Sequence, residues 1–226
     1  MKRFATALLF SVLAVALHPP AAGAQSLLFD YLGFDYYSTP GGSPTTALDP
    51  THRYTGLGTV PGVFAPLVAD TSTKEYTYVM SGLIPTSITP VGGFFIINYG
   101  PGTVSLYEDS KTSGTTADYG TNPPNAVAPP TFTDGTLFLK GTLTNFQFVL
   151  DPTGGGSFEA QFDVTGGSHF SDVPSNQRRG WTFSGATRNA LNIPLGYAHQ
   201  IDGQTFLDAP VATRHVTWGR LKATYR

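Results

Sequence analysis

The sequence predicts an all-β protein: an antiparallel β-sandwich of jelly-roll type, with a closed β-barrel as the alternative. Three observations lead there. Apolar and polar residues alternate with period two along much of the chain, as a strand with one dry and one wet face requires. The 26 glycines and 18 prolines cut these runs at short intervals, as turns do. Only 12% of residues are charged while 13% are aromatic, a balance that favours strands over exposed helices rich in Glu and Lys.

The elements follow in order. Gln25 to Tyr37, rich in Leu, Phe and Tyr, predicts a first strand with a bulge at Gly33. Ser38 to Pro50 is a loop of Gly, Pro, Ser and Thr. His52 to Val60 and Gly62 to Val68 read as two short strands, separated by Pro61 and bent at Pro66. In Lys74 to Leu83, Tyr76, Tyr78 and Met80 share one face and Glu75, Thr77 and Val79 the other. Phe94 to Tyr99 and Thr103 to Glu108, joined by Gly100-Pro101-Gly102, predict a hairpin. Asp109 to Thr131 is poor in apolar residues and carries two Pro-Pro pairs, so it reads as a long loop. A central hairpin follows, with Thr142, Thr144, Phe146, Phe148 and Leu150 on one face of its first arm. Its second arm sets Phe158, Ala160, Phe162 and Val164 against Glu159, Gln161, Asp163 and Thr165. Asp151-Pro152-Thr153-Gly154-Gly155-Gly156 reverses the chain between the arms. Gly180 to Gly185 predicts a strand and Ala186 to Ala190 a single helical turn. Gly196 to Leu207 reads as a loop and short strand turning at Asp202-Gly203, and Val211 to Tyr225 as a last strand.

The first 24 residues have the parts of a secretory signal peptide. Lys2 and Arg3 precede an apolar run from Phe4 to Leu17, and Ala22-Gly23-Ala24 offers a cleavage site. That run is short of the roughly 20 residues needed to span a bilayer, and His18-Pro19-Pro20 interrupts any helix. An exported protein, periplasmic or extracellular, is therefore expected, with residues 25–226 as one domain and no membrane span in the mature chain. The absence of cysteine leaves its stability to packing without disulfides. A formal charge of −2 and no basic cluster beyond Arg178-Arg179 argue against nucleic acid as a partner.

No catalytic signature stands out. The elbow G-x-S-x-G is missing, and Ser168-His169, adjacent on an extended chain, would point to opposite faces. His52, His169, His199 and His215 lack metal-ligand spacing, so no metal or cofactor is expected. Glu159 and Asp163 on one strand face lie about 13 Å apart, too far for a glycosidase pair. The aromatic residues carry the remaining candidate site. Tyr36, Tyr37, Tyr76, Tyr78, Trp181 and Trp218 sit on predicted strands and would form a platform for sugar rings, if they are not core.

The runs DGTLFLKG, GGGSFEAQFDVTGGS, GWTFSG and GYAHQIDGQ, between Asp134 and Gln204, resemble a class of uncharacterised exported bacterial proteins. Many of that class carry a PEP-CTERM sorting tail and are associated with exopolysaccharide-producing bacteria. This chain has no Pro-Glu-Pro motif and ends at Leu221-Lys222-Ala223-Thr224-Tyr225-Arg226, so the resemblance implies no anchoring by that tail. It implies no catalytic residue either. The expectation is an exported, non-enzymatic β protein that binds or structures extracellular material, with polysaccharide or cell-surface material as partner. A secreted glycan-acting hydrolase is the alternative.

Overall fold

The computed structural model describes residues 25–38, 52–120 and 129–207. The signal-peptide segment, the strand expected at Val211 to Tyr225 and Trp218 lie outside them. Ten strands form one antiparallel sheet: β1 Ser26–Tyr37, β2 Tyr54–Val63, β3 Lys74–Leu83, β4 Pro85–Val91, β5 Phe94–Tyr99, β6 Gly102–Ser110, β7 Thr136–Leu150, β8 Gly156–Gly166, β9 Trp181–Arg188 and β10 His199–Leu207. Hydrogen bonding runs in the order β4-β5-β7-β6-β3-β2-β1-β10-β9-β8, and β8 then pairs back onto β7. That last seam closes eight of the strands into a barrel, with β4 and β5 as an appendage. The expected sandwich is thus replaced by its alternative. A sandwich would leave two seams without pairing, whereas each barrel strand here has a partner on both sides. Closure also removes the open edges that two separate sheets would present.

An eight-stranded barrel is just wide enough for side chains to fill it, and here rings do so. Tyr31 stacks on Phe183 with centroids 4.7 Å apart and meets Tyr78 edge-on at 5.1 Å. Phe146 stacks on Phe158 at 5.3 Å, and Phe162 packs against Phe29 and Trp181. Phe158, Ala160, Phe162 and Val164 are all buried, so β8 has the faces its alternation predicts. β3 likewise buries Tyr76, Tyr78 and Met80. Outward positions between β7 and β10 are Lys140, Gln161, Asp163, Gln200 and their like. These are not the apolar band of lipid-facing strands. Among the described residues no helix is long and apolar enough to cross a membrane.

β7 is long because it serves two neighbours along one edge. Its first half, to Leu143, pairs with β6, and its second, from Gln147, pairs with β5. The hairpin expected between β5 and β6 is therefore not formed. Gly100-Pro101-Gly102 instead hands the chain along β7 from one pairing to the next. At Asn145 (φ 54°) β7 takes an extra residue against β8, between the pairs Thr144–Gln161 and Gln147–Glu159. This bulge switches the faces. Leu143 is buried before it and Phe146, Phe148 and Leu150 after it, so Thr142 and Thr144 point outward rather than sharing the Phe face. Asn tolerates the left-handed backbone there better than most residues.

Four other expectations are corrected. β2 runs through Pro61 as one strand; its pairing with β3 ends at Thr59, so the missing N–H breaks no bond on that side. β9 continues to Arg188 where a helical turn was expected. Asp202-Gly203 lies within β10, paired with both β1 and β9, and makes no turn. The irregularities in β1 fall between Leu27 and Phe29 and between Asp30 and Leu32, not at Gly33. After β6, Ala117, Tyr119 and Phe132 pack with Ile193 and Tyr197 over outward-facing Phe34, Tyr36, Leu57 and Val79. This second, smaller cluster covers one outer patch of the wall.

Candidate functional site

Five of the six aromatic candidates can be placed, and all five are buried. Tyr37, Tyr76, Tyr78 and Trp181 occupy inward positions of their strands and belong to the main core. Tyr36 points outward but is covered by Tyr197, whose ring meets it edge-on at 5.8 Å. None presents a ring face to solvent, because the inward alternation that makes these strands also sends their rings inside. Trp218 lies outside the described residues. The structure also separates Ser168 from His169: the Ser168 hydroxyl donates to the Leu137 carbonyl at 3.1 Å, and His169 Nδ1 lies 2.6 Å from Asp172 Oδ2. Among the described residues no three His, Cys, Asp or Glu side chains are grouped to hold a metal ion.

What the fold does assemble is a polar concavity of about 480 Å³ on the outer wall. Gln147 comes from β7, Ser157 and Glu159 from β8, Ser184 from β9, and Asp202 and Gln204 from β10. Pairing sets them in rows. Gln147 lies opposite Glu159, Glu159 opposite Ser184, and Ser184 opposite Gln204. Two amides are pinned: Gln147 Nε2 donates to Asn98 Oδ1 at 3.0 Å, and Gln204 Nε2 donates to Asp30 Oδ1 at 2.8 Å. The floor is thin because Gly185 and Gly203 lie under it. A Cβ on Gly203 would come within 2.3 Å of Tyr31 Cζ, so the strand sits directly on a ring. The Tyr31 hydroxyl in turn donates to the Ser184 carbonyl at 2.8 Å, tying core to groove.

The grouping of these residues escaped the sequence reading, in which Glu159 is only a rejected partner of Asp163 and Asp202 is part of a turn. Each is an ordinary outward polar residue on its own strand, and only the register of four strands brings them together. The available signal was the run of Gln, Ser, Glu and Asp at outward parity beside inward glycines.

A second polar group lies inside the barrel, at the end formed by Tyr37, Tyr54 and His199. Asp35 is fully buried. Its carboxylate accepts from the Tyr54 hydroxyl at 3.0 Å and from the His199 backbone N–H at 2.7 Å. His199 Nδ1 lies 3.0 Å from Oδ2 and 3.1 Å from Oδ1, and the imidazole is 12% exposed. Burial works against the charged imidazole, but the bond to Asp35 and the charges of Asp35 and Asp151 together outweigh it and hold the His199 pKa above its ordinary value. Tyr37 and Tyr99 lie close to one another and to Asp35, yet neither hydroxyl completes a hydrogen bond of good geometry. Burial pushes Tyr37, Tyr54 and Tyr99 well up from the usual phenol range. Asp35 could have been suspected from its inward parity with Tyr31 and Tyr37, which is a costly place for a lone carboxylate.

Compared with protein-family models, with curated proteins and with solved structures, the chain matches none.

Proposed function

We propose that this chain is an exported, non-enzymatic barrel that binds extracellular polysaccharide along the wall built from β7 to β10. The observation that carries the reading is the open groove lined by Gln147, Ser157, Glu159, Ser184, Asp202 and Gln204. Amide, carboxylate and hydroxyl groups offer donors and acceptors side by side, which suits the paired hydroxyls of a sugar. Fixing both amides through Asn98 and Asp30 lowers the ordering cost of binding. The scarcity of charge favours a neutral polymer over an anionic one. Binding is favoured over hydrolysis because Glu159 and Asp202 stand exposed on an open wall two strands apart, where nothing among the described residues excludes bulk water from a reacting bond. The likeness to exported proteins of exopolysaccharide-producing bacteria points the same way.

Affinity electrophoresis through gels cast with neutral polysaccharides tests this. Retardation of the wild type, lost in a Gln147→Ala/Gln204→Ala double variant of unchanged stability, is expected. Equal mobility of both proteins in every gel would refute binding at this wall. Release of reducing ends would establish the hydrolase instead.

A further inference from the structure

We propose that Asp35 and His199 form a proton-operated latch, which holds the Asp151–Gly155 turn over one end of the barrel and releases it as pH rises. The imidazole stands between the Asp35 carboxylate and the Asp151–Gly155 turn. His199 is gripped from the inside by Asp35 on β1, through Nδ1 and the backbone N–H. On its other side the ring lies against the turn: a Cβ on Gly154 would come within 2.7 Å of both Nε2 and Cδ2. Asp151, at the base of the same turn, acts on His199 through space in the direction that favours its charge.

The turn is otherwise lightly tied to the wall. Thr187 Oγ1 donates to the Gly154 carbonyl at 3.3 Å, and Asn189 Nδ2 donates to the Thr153 carbonyl. Its amides bond within the turn, Thr153 N–H and Gly155 N–H to Asp151 Oδ1, and a turn released from the barrel frays and opens these bonds to water. Among the described residues the other titratable groups facing the pair are phenols: Tyr54 on β2, Tyr37 on β1, Tyr99 on β5 and, farther in, Tyr78 on β3. All are held neutral well above pH 7 by burial, so none competes with His199 for the switch. On β9, Arg188 faces outward and donates to Gln200 Oε1 at 3.1 Å.

The sign follows from linkage. His199 has a raised pKa in the closed state. The stabilisation is therefore complete below the ordinary imidazole value of about 6.5 and is lost as pH rises through the raised one. Deprotonation removes the attraction to Asp151 and leaves Asp35 buried without a cationic partner.

Amide hydrogen exchange of residues 151–156 in the full chain, read as protection factors between pH 5.5 and 8.5, tests this. Protection should fall over that range by about a factor of ten for each pH unit separating the closed and open midpoints of His199. It should be flat in His199→Gln. Asp151→Asn, which keeps the turn's acceptor but not its charge, should show a smaller fall. Flat protection in the wild type, or the same fall in His199→Gln, would overturn the proposal. If His199→Gln does not fold, the His199 ring-proton titration in the wild type decides: a midpoint above 6.5 that drops in Asp151→Asn supports the latch, and one at or below 6.5 overturns it.

Discussion

Replacing Gly203 by Ala adds one methyl group at the point where the groove floor rests on the core. The new Cβ would lie 2.3 Å from Tyr31 Cζ, 2.4 Å from its hydroxyl oxygen and 2.6 Å from the Ser184 carbonyl oxygen. Tyr31 has little room to retreat: it is buried, stacked on Phe183 and set edge-on to Tyr78. Overpacking of this kind costs about 1–3 kcal/mol. Displacing the ring also breaks the Tyr31–Ser184 bond and leaves a buried hydroxyl unsatisfied, about 1–3 kcal/mol more. Against this, Ala restricts the unfolded chain and returns about 0.4–1 kcal/mol. The net expectation is a destabilisation of about 2–5 kcal/mol, or a Tm lower by about 4–20 °C for a domain of this size. Gly166→Ala is the control, since nothing lies within 4 Å of its Cβ position and its backbone is ordinary. It should stay within about 1 kcal/mol of the wild type. Urea unfolding of both variants gives the comparison. Equal midpoints would mean that Tyr31 does not underlie β10, and the interior assignment of β1 and β10 would fall with it.

Two further predictions concern the same interior. Phe162→Asp should cost several kcal/mol by urea midpoint, through loss of a fully buried ring and burial of a charge, whereas Glu159→Lys on the outer wall should change stability by about 0.5 kcal/mol or less. Burial raises the pKa of Tyr31, Tyr37, Tyr54, Tyr78 and Tyr99, and that of Tyr119 to about 12. A raised phenol pKa contributes stability that is complete below the ordinary value of about 10 and is lost as pH rises through the raised values. Spectrophotometric titration near pH 11 should thus show little phenolate until the chain unfolds, then a cooperative rise; gradual ionisation of most tyrosines from about pH 10 would contradict their burial.

Strands that bury one face were legible where the alternation was unbroken, as in β3 and β8. Prolines hid β4, because Pro85 and Pro90 look like loop signals and are tolerated on an edge strand. Local turn chemistry misled at Gly100-Pro101-Gly102, since it cannot reveal that β5 and β6 share a neighbour in β7. Gly203 was read as a turn residue although its role is to lie directly over the Tyr31 ring. The same alternation serves a sandwich and a barrel, so closure was beyond it; only the β7–β8 and β1–β10 seams decide. The site was least legible. Outward Gln, Ser and Asp residues become a groove through register alone, and inward rings that suggested a platform fill the core.

Eight strands close into one ring around an aromatic interior, leaving a polar wall outside. Cross-strand backbone proton contacts, measured by nuclear Overhauser spectroscopy on the labelled protein, test it most directly. A closed ring gives contacts at all eight seams, including Gly33 with Ile201, Gly58 with Tyr78, and Leu143 with Phe162. Silence at two seams on opposite sides of the ring, with the rest intact, would mean two stacked sheets and would contradict it.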